Sequence, residues 1–311
     1  MNTVQYVGID ISKDTLQIDW GTLRGPSQLP NTPAGIKRLL KLVAASPGSH
    51  VACEATGGYE RSLLQALWAE DLSVTLFNPK RVRDFARCTN RLAKTDSIDA
   101  CVIRDYAITI EPPRTLPPSA ALMRLKDLCS RRDDLLTQRL AEANRSRMLV
   151  DKVLLRQSRC LLKQLDSHIA DLERWMHETV DADPSLSAKM RALCSVKGVG
   201  FIVAVSVLAY LPEIGSLNRK SCAALAGIAP FNRDSGLFRG QRRITAGRFP
   251  LRRILYMAAL VASRSNPILR AFYLRLTTSS AKPPKLALTA LMRKLLIHLN
   301  SLLKPLSPSP A

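Results

Sequence analysis

The sequence predicts an α/β N-terminal domain, a long helical segment that reads either as a coiled-coil spacer or dimerisation arm or as a plain helical hairpin packed on its own domain, and a mainly α, strongly basic C-terminal domain. Three observations carry this. Short apolar runs alternate with helical patterns up to residue 111. Gly and Pro are absent from 120–179, where apolar residues recur at spacings of three and four. The net charge of +21 is distributed as +1 over residues 1–111, +3 over 112–190 and +17 over 191–311.

The elements follow in order. Val4 to Asp10 is an apolar run closing on a carboxylate, and Leu16 to Trp20 alternates as its hairpin partner before a turn at Gly21 to Gly25. Pro33 to Ala45 carries Ile36, Leu39, Leu40 and Val43 at helical spacing, with Asn31 and Thr32 as caps. His50 to Glu54 reads as a second strand ending in an acid, Tyr59 to Glu70 as a helix and Ser73 to Asn78 as a strand. Lys80 to Arg91 is basic, and a helix opens near Lys94 and runs to about Ile108. Prolines at 112, 113, 117 and 118 mark a stiff linker. The domains expected are therefore 1–111, the linker with its helical segment over 112–183, a C-terminal domain over 184–304 and a disordered tail over 305–311. Within the third, Val196-Lys197-Gly198-Val199-Gly200 between two helical patterns reads as a helix-hairpin-helix, whose glycines let backbone N–H groups approach a phosphate.

A polyanionic partner for the last third follows from its charge. DNA or RNA fits better than a membrane, because no basic amphipathic helix accompanies the charge. The cysteines at 53, 88, 101, 129, 160, 194 and 222 lack zinc spacing and read as reduced core residues. No signal segment and no run of about 18 apolar residues is read, so a soluble, cytoplasmic protein is expected.

Two sets of residues carry chemistry. Asp10 and Glu54 end strands, and Asp96 and Asp99 sit one helical turn apart on one face. An oxygen-only cluster of this kind suits Mg²⁺ or Mn²⁺, and a pair of ions can serve phosphodiester chemistry. Taken singly, each acid is more often a strand end, a cap or a helix-surface residue. The second set is Ser235 within Arg233-Asp234-Ser235-Gly236, a turn sequence ringed by arginines at 239, 242, 243, 248, 252 and 253. Arg233, Arg239, Arg242, Arg243, Arg252, Arg253, Arg293 and Lys294, with Lys197, Gly198 and Gly200, are the candidate nucleic-acid contacts, and Tyr256 is assigned to packing. Asp-Ser-Gly is a common turn, and the histidines at 50, 168, 177 and 298 lie far from Ser235 in sequence, so its activation needs another source.

The strings GIDIS (8–12), CEATGGYE (53–60), NPKRVRDFA (78–86) and KTDSIDA (94–100) resemble the RuvC-like domain of the DEDD insertion-sequence transposases, relatives of the Piv DNA invertases. GIAPFNRDSG (227–236), RRITAG (242–247), LRRILYMAAL (251–260) and MRKLL (292–296) resemble that family's transposase domain. The resemblance implies a RuvC/RNase H-like first domain and recombination guided by a bridge RNA that pairs with target and donor DNA. It also implies metal-binding acids at Asp10, Glu54, Asp96 and Asp99, a catalytic serine at Ser235 and a dimer or tetramer. Lys197 stands where the family usually has proline, and Ile244-Thr245-Ala246-Gly247 is shorter than its usual Ile-Ser-Lys-x-Gly. The acids and their ions, from the first domain or another subunit, are then the expected source of serine activation, through a covalent phosphoserine intermediate. A metal-dependent RuvC-type endonuclease or junction resolvase using water is the alternative. An actin-like sugar kinase, prompted by GIDIS, lacks a second Gly-rich phosphate strand and leaves the basic third unexplained.

Overall fold

Strand periodicity sorts the first half of the chain into two faces. The computed structural model describes residues 4–91, 95–231, 234–235, 238–240 and 243–306, with the backbone alone described at 96, 97, 234, 235, 238 and 239. The chain divides into two units, Met1–Pro117 and Pro118–Ala311. In the first, β1 (Gln5–Ile11), β2 (Thr15–Asp19) and β3 (Gln28–Pro30) form an antiparallel meander. Helix α1 (Pro33–Ala44) then crosses to β4 (Ser49–Glu54), parallel to β1, and α2 (Arg61–Ala69) to β5 (Val74–Phe77), parallel to β4. Helices α3 (Pro79–Cys88) and α4 (Asp96–Ile110) complete the unit, and the sheet order is β3-β2-β1-β4-β5. This is the α/β layer that the alternation predicts. The edge strand β3 goes beyond the sequence reading, because three residues ending in proline are too few for a periodic signal.

Val7, Ile9 and Ile11 of β1 and Val51 and Cys53 of β4 pack against Ile36, Leu39 and Val43 of α1 and Leu63, Leu64 and Leu67 of α2. On the other face, Tyr6 and Ala52 pack with Val82 and Ala86 of α3 and with Val102, Ile103 and Ala107 of α4. Because successive side chains alternate across a strand, Gly8, Asp10 and Glu54 share the face that α3 and α4 cover. The proline-rich stretch is no free linker at its start. Thr115 donates its N–H to Val74 O at 2.8 Å, Thr75 Oγ1 donates to Pro113 O at 2.8 Å and Trp68 Nε1 donates to Thr115 O at 2.9 Å, which carries the first unit on to Pro117.

In the second unit, α5 (Ala120–Ser146) and α6 (Lys152–Asp181) fold back on each other as an intrachain hairpin. Leu135, Leu165, Ile169 and Leu172 fill the seam, and Arg132–Glu173 at 2.7 Å and Arg139–Asp166 bridge it. Asp151 starts α6 by accepting from Val153 N and Leu154 N. The hairpin's base, at Leu125, Cys129, Met176 and Val180, belongs to the same core as the helices that follow. Those are α7 (Pro184–Cys194), α8 (Phe201–Tyr210) and α9 (Arg219–Leu225). Four two-residue strands come next: β6 (Pro230–Phe231), β7 (Asp234–Ser235), β8 (Phe238–Arg239) and β9 (Arg243–Ile244). The unit closes with α10 (Phe249–Ser265), α11 (Pro267–Leu274), a π-helical turn (Arg275–Ser279), α12 (Pro284–Leu303) and a 3₁₀ turn (Lys304–Leu306).

Two expectations are corrected. The segment Pro284–Leu306 is long and apolar enough to cross a membrane by length and composition, although the sequence reading finds no such run. Leu288, Leu291, Leu295, Leu296 and Leu299 lie inside the second core, so packing accounts for that apolarity. The cysteines are all free, yet only Cys53, Cys129 and Cys222 are buried, whereas Cys88, Cys160 and Cys194 are exposed and Cys101 is half-buried. Burial pushes the Cys53 thiol up to about 12 and those of Cys129 and Cys222 up to about 11, which keeps them protonated.

The sheet and α4 meet at Gly8, where an added Cβ would lie 2.2 Å from Ala100 O and 2.7 Å from Arg104 N. Those are backbone atoms of a helix and cannot swing aside. Gly8→Ala is expected to lower the full chain's unfolding free energy by about 2 kcal/mol or more, read by denaturant titration.

Candidate active site

The register of the parallel strands brings the first two acids together. Ile9 pairs with Cys53 across β1 and β4, so Asp10 and Glu54 are the next residues of adjacent strands, on the face covered by α4. Thr95 caps α4 by accepting from Ile98 N, and Gly8 lets the first turns of this helix lie directly on β1. Asp99, one residue before the Ala100 contact, thereby lines a cleft of about 260 Å³ with Glu54, Arg83 and the apolar residues Pro79, Val82, Ala86, Val102 and Ile103. The backbone of Asp96 lies one turn earlier on α4, and its side chain is outside the described residues.

Surrounding groups fix the cleft's frame. Arg104 bridges Asp19 at 2.5 Å and Asp105 at 2.9 Å, and Arg91 reaches Asp105 at 2.6 Å, tying α4 to β2 and to the end of α3. Burial would push the Asp105 carboxyl up, but hydrogen bonds and charge from Arg104 and Arg91 outweigh it and hold it low. Beyond Glu54, Glu60 accepts from Thr56 N at 3.2 Å, Thr56 Oγ1 at 2.8 Å and Gly58 N at 2.8 Å, which closes the turn containing Gly57 and Gly58. Glu60 is thus committed to its own loop. The donor chemistry at Asp10, Glu54 and Asp99 is oxygen-only and fits a hard divalent cation. Among the described residues, however, no group of three or more His, Cys, Asp or Glu side chains is close enough to hold an ion.

Ser235 stands on a different kind of support. The sequence reads residues 233–236 as a turn, whereas Asp234–Ser235 is a strand paired with Phe238–Arg239, Ser235 opposite Phe238. Pro230 and Phe231 pair with Ile244 and Arg243, closing the excursion nearer its base. At the base itself, α9 ends in a Schellman turn: Gly227 N donates to Ala224 O and Ile228 N to Ala223 O, with Gly227 at φ +68°. A Cβ on Gly227 would meet Ala246 O at 2.2 Å, and one on Gly247 would meet Gly227 N at 2.1 Å. Arg252 Nη1 donates to Gly227 O at 3.4 Å and to Ala246 O at 3.3 Å, spanning both legs. The short Ile244-to-Gly247 turn is therefore the return leg of a glycine-closed neck. The side chain of Ser235 is outside the described residues, as are that of Arg239 and the whole of Arg233 and Arg242.

Comparison with known proteins bears on both units. Residues 7–154 match the DEDD transposase model of the IS110 type, and residues 190–274 match the IS116/IS110/IS902 transposase family. A pilin gene-inverting protein of Moraxella lacunata is 27% identical over 301 residues, covering 94% of this chain and 93% of that protein. Its counterpart in Moraxella bovis is 27% identical over 302 residues at the same coverage. The chain is similar over both segments to IS110-type transposases. It is a DNA recombination enzyme, and DNA is its substrate class.

The transposase's cations divide by what they already hold. Arg248, which the sequence reading leaves without a role, makes a bidentate pair with Glu213 at 2.7 Å on each arm and donates to Tyr210 O at 2.9 Å. Glu213 is, besides Asp234, the only acid of residues 191–311, and that isolation is the signal sequence reasoning passed over. Arg253 pairs with Asp133 at 2.5 Å, and Lys294 lies 4.4 Å over the Phe272 ring. Gly198 faces α10, where a Cβ would meet Ala262 Cβ at 2.6 Å, so its smallness serves helix packing. Gly200 is open at the N-terminus of α8, with Lys197 and Arg243 exposed and Arg293 half-buried. Tyr256 packs against the second core.

Gly247→Ala is expected to destabilise the transposase by about 2 kcal/mol or more, combining positive-φ strain with backbone overlap. Arg252→Ala, which loses two hydrogen bonds, should cost about 1–2 kcal/mol. Thermal unfolding of the full chain checks both, and an unchanged midpoint would mean the neck is not closed this way. Burial would push the Glu213 carboxyl up, but its hydrogen bonds and charge contact with Arg248 hold it below the ordinary glutamate value. Its stabilisation is therefore complete above that ordinary value and is lost as pH falls through the lowered one. Glu213→Gln should flatten the acid limb of a melting-temperature profile between neutral pH and about pH 3.

Proposed function

We propose that this transposase cuts and rejoins DNA strands by a metal-dependent, RNA-guided reaction that passes through a phosphoserine at Ser235. The observation that carries the reading is that Asp10 and Glu54 follow one paired position on adjacent parallel strands while Glu54 and Asp99 line one cleft, with the backbone of Asp96 one turn earlier on α4. The sheet order and its two helical layers support a RuvC/RNase H-like first domain. The activity for which the relatives are named, inversion of a pilin gene, supports strand exchange over simple cleavage.

In this reading, Asp10, Glu54, Asp96 and Asp99 hold Mg²⁺ or Mn²⁺, and two such ions supply charge neutralisation at the scissile phosphate and a lowered pKa for the attacking oxygen. Ser235 Oγ forms a bond to phosphorus as the bond from phosphorus to the leaving sugar oxygen breaks, and that oxygen takes up a proton. Attack on the phosphoserine by a hydroxyl of the partner strand restores Ser235 and conserves the phosphodiester. Ser235 and the acids act on one phosphate, within one subunit or between two. The glycine-closed neck limits how far Ser235 must be ordered when DNA arrives, which lowers the entropic cost of positioning.

Guide RNA recognition rests on the family resemblance and on the basic last third. Lys197, Gly198 and Gly200 at the α7–α8 turn, with Arg233, Arg239, Arg242, Arg243, Arg293 and Lys294, are the proposed phosphate contacts, Arg252 and Arg253 joining them beside their structural partners. Aromatic residues are only 5% of the chain, which favours contact by charge and shape over base stacking. Oligomerisation through the far end of the α5–α6 hairpin is supported by Met148 and Val150, 84% and 91% exposed, together with Leu140, Val153, Leu154 and Leu161. A dimer or tetramer is the assembly proposed.

Trapping the reaction on labelled donor DNA tests the mechanism. A covalent adduct that disappears in Ser235→Ala, with strand exchange falling to background, is the expected result. Asp10→Asn should reduce cleavage by more than about a hundredfold. Full exchange by Ser235→Ala would leave the water-using nuclease standing instead. A non-coding transcript that copurifies with the chain, and whose removal by ribonuclease abolishes target selection, is the expected sign of guidance.

A further inference from the structure

The acidic cleft contains a cation that the family resemblance does not assign. Helix α3 carries Lys80, Arg81, Arg83 and Arg87, and turns Val82 and Ala86 into the core beneath it. Of its four cations only Arg83 lines the cleft with Glu54 and Asp99. Arg87 is spent on Asp84 at 3.7 Å, whereas Arg83 holds no ion pair among the described residues. Arg83 is half-buried, against a wall formed by Pro79, Val102 and Ile103. The helix is fixed at its start by Pro79 and by Asn78, whose side chain accepts from Lys80 N, so the guanidinium projects from a rigid base.

We infer that Arg83 binds a non-bridging oxygen of the scissile phosphate within the cleft it shares with Glu54 and Asp99. This rests on the metal-dependent reading of Asp10, Glu54, Asp96 and Asp99. A guanidinium beside two carboxylates repels a divalent ion, so by itself it works against metal binding. Its charge becomes favourable once a phosphodiester enters, because the fork matches two phosphate oxygens and the charge opposes the negative charge that builds up on them during transfer. Arg83 thus makes the cleft selective for a metal with its phosphate over the metal alone.

The test compares Arg83→Gln and Arg83→Lys with the unaltered full chain in three measurements: thermal stability, Mn²⁺ affinity by electron paramagnetic resonance, and strand cleavage of donor DNA. Arg83→Gln is expected to melt with the unaltered chain, to bind Mn²⁺ about threefold more tightly or better, and to cleave at least about tenfold more slowly. Arg83→Lys, which keeps the charge without the fork, should recover part of the rate and return Mn²⁺ affinity to normal. Unchanged cleavage in Arg83→Gln with intact Mn²⁺ binding would overturn the assignment. Weaker Mn²⁺ binding in Arg83→Gln would also overturn it, since Arg83 would then be supporting the acids. If the unaltered chain shows no Mn²⁺ binding that Glu54→Gln weakens, the metal reading fails and takes this proposal with it.

Discussion

The bare face of Gly8 is the contact on which the first unit's site depends. Side chains normally hold a helix away from a sheet by about 10 Å between axes. At Gly8 the α4 backbone comes down onto the strand, close enough that a single methyl group would overlap Ala100 O and Arg104 N. Asp99 is adjacent to that contact and therefore reaches the strand ends where Asp10 and Glu54 lie. A glycine inside a strand costs chain entropy and contributes no packing, so its presence needs a compensating function. Letting α4 approach β1 so closely that Asp99 shares a cleft with Glu54 is such a function, and Arg104, shared between Asp19 and Asp105, secures the close approach from outside.

Glycine solves a related problem in the second unit. There Gly227 and Gly247 allow two chain segments to touch backbone to backbone, and Arg252 holds both carbonyls. The result is a narrow neck from which the strands carrying Ser235 extend. This arrangement also changes how the positive charge is to be read. Arg248 and Arg253 have acid partners and Arg252 has carbonyls, so part of the charge counted along the sequence already holds the fold. Lys197, Arg243 and Lys294 keep their side chains exposed.

Much of the architecture was legible because its signals are periodic or local. The apolar run of β1, the alternation in β2, the cap at Thr32 and the Gly-x-Gly turn at 198–200 each lie within a few residues of the element they define. What escaped depends on distant partners or very short elements. Glu213 and Arg248 are 35 positions apart, and Thr115 is tied to Trp68 from 47 positions away. The hairpin reversal at 147–151 has no Gly or Pro to mark it, and Asp151 alone, as the α6 cap, gave a cue. The acids and Ser235 were found through motif order; spacing offered only the pair 96 and 99. Arg83 was hidden inside a run of cations, where sequence cannot tell the side chain facing the cleft from its neighbours facing water.

The separation of charge between the two units has a mechanistic consequence. The first carries almost no net charge, so it attracts a polyanion weakly. The last third carries +17 and attracts nucleic acid whatever the state of the acids. Attraction for nucleic acid is therefore concentrated in one part of the chain. Salt accordingly acts mainly on that part, through counterion release.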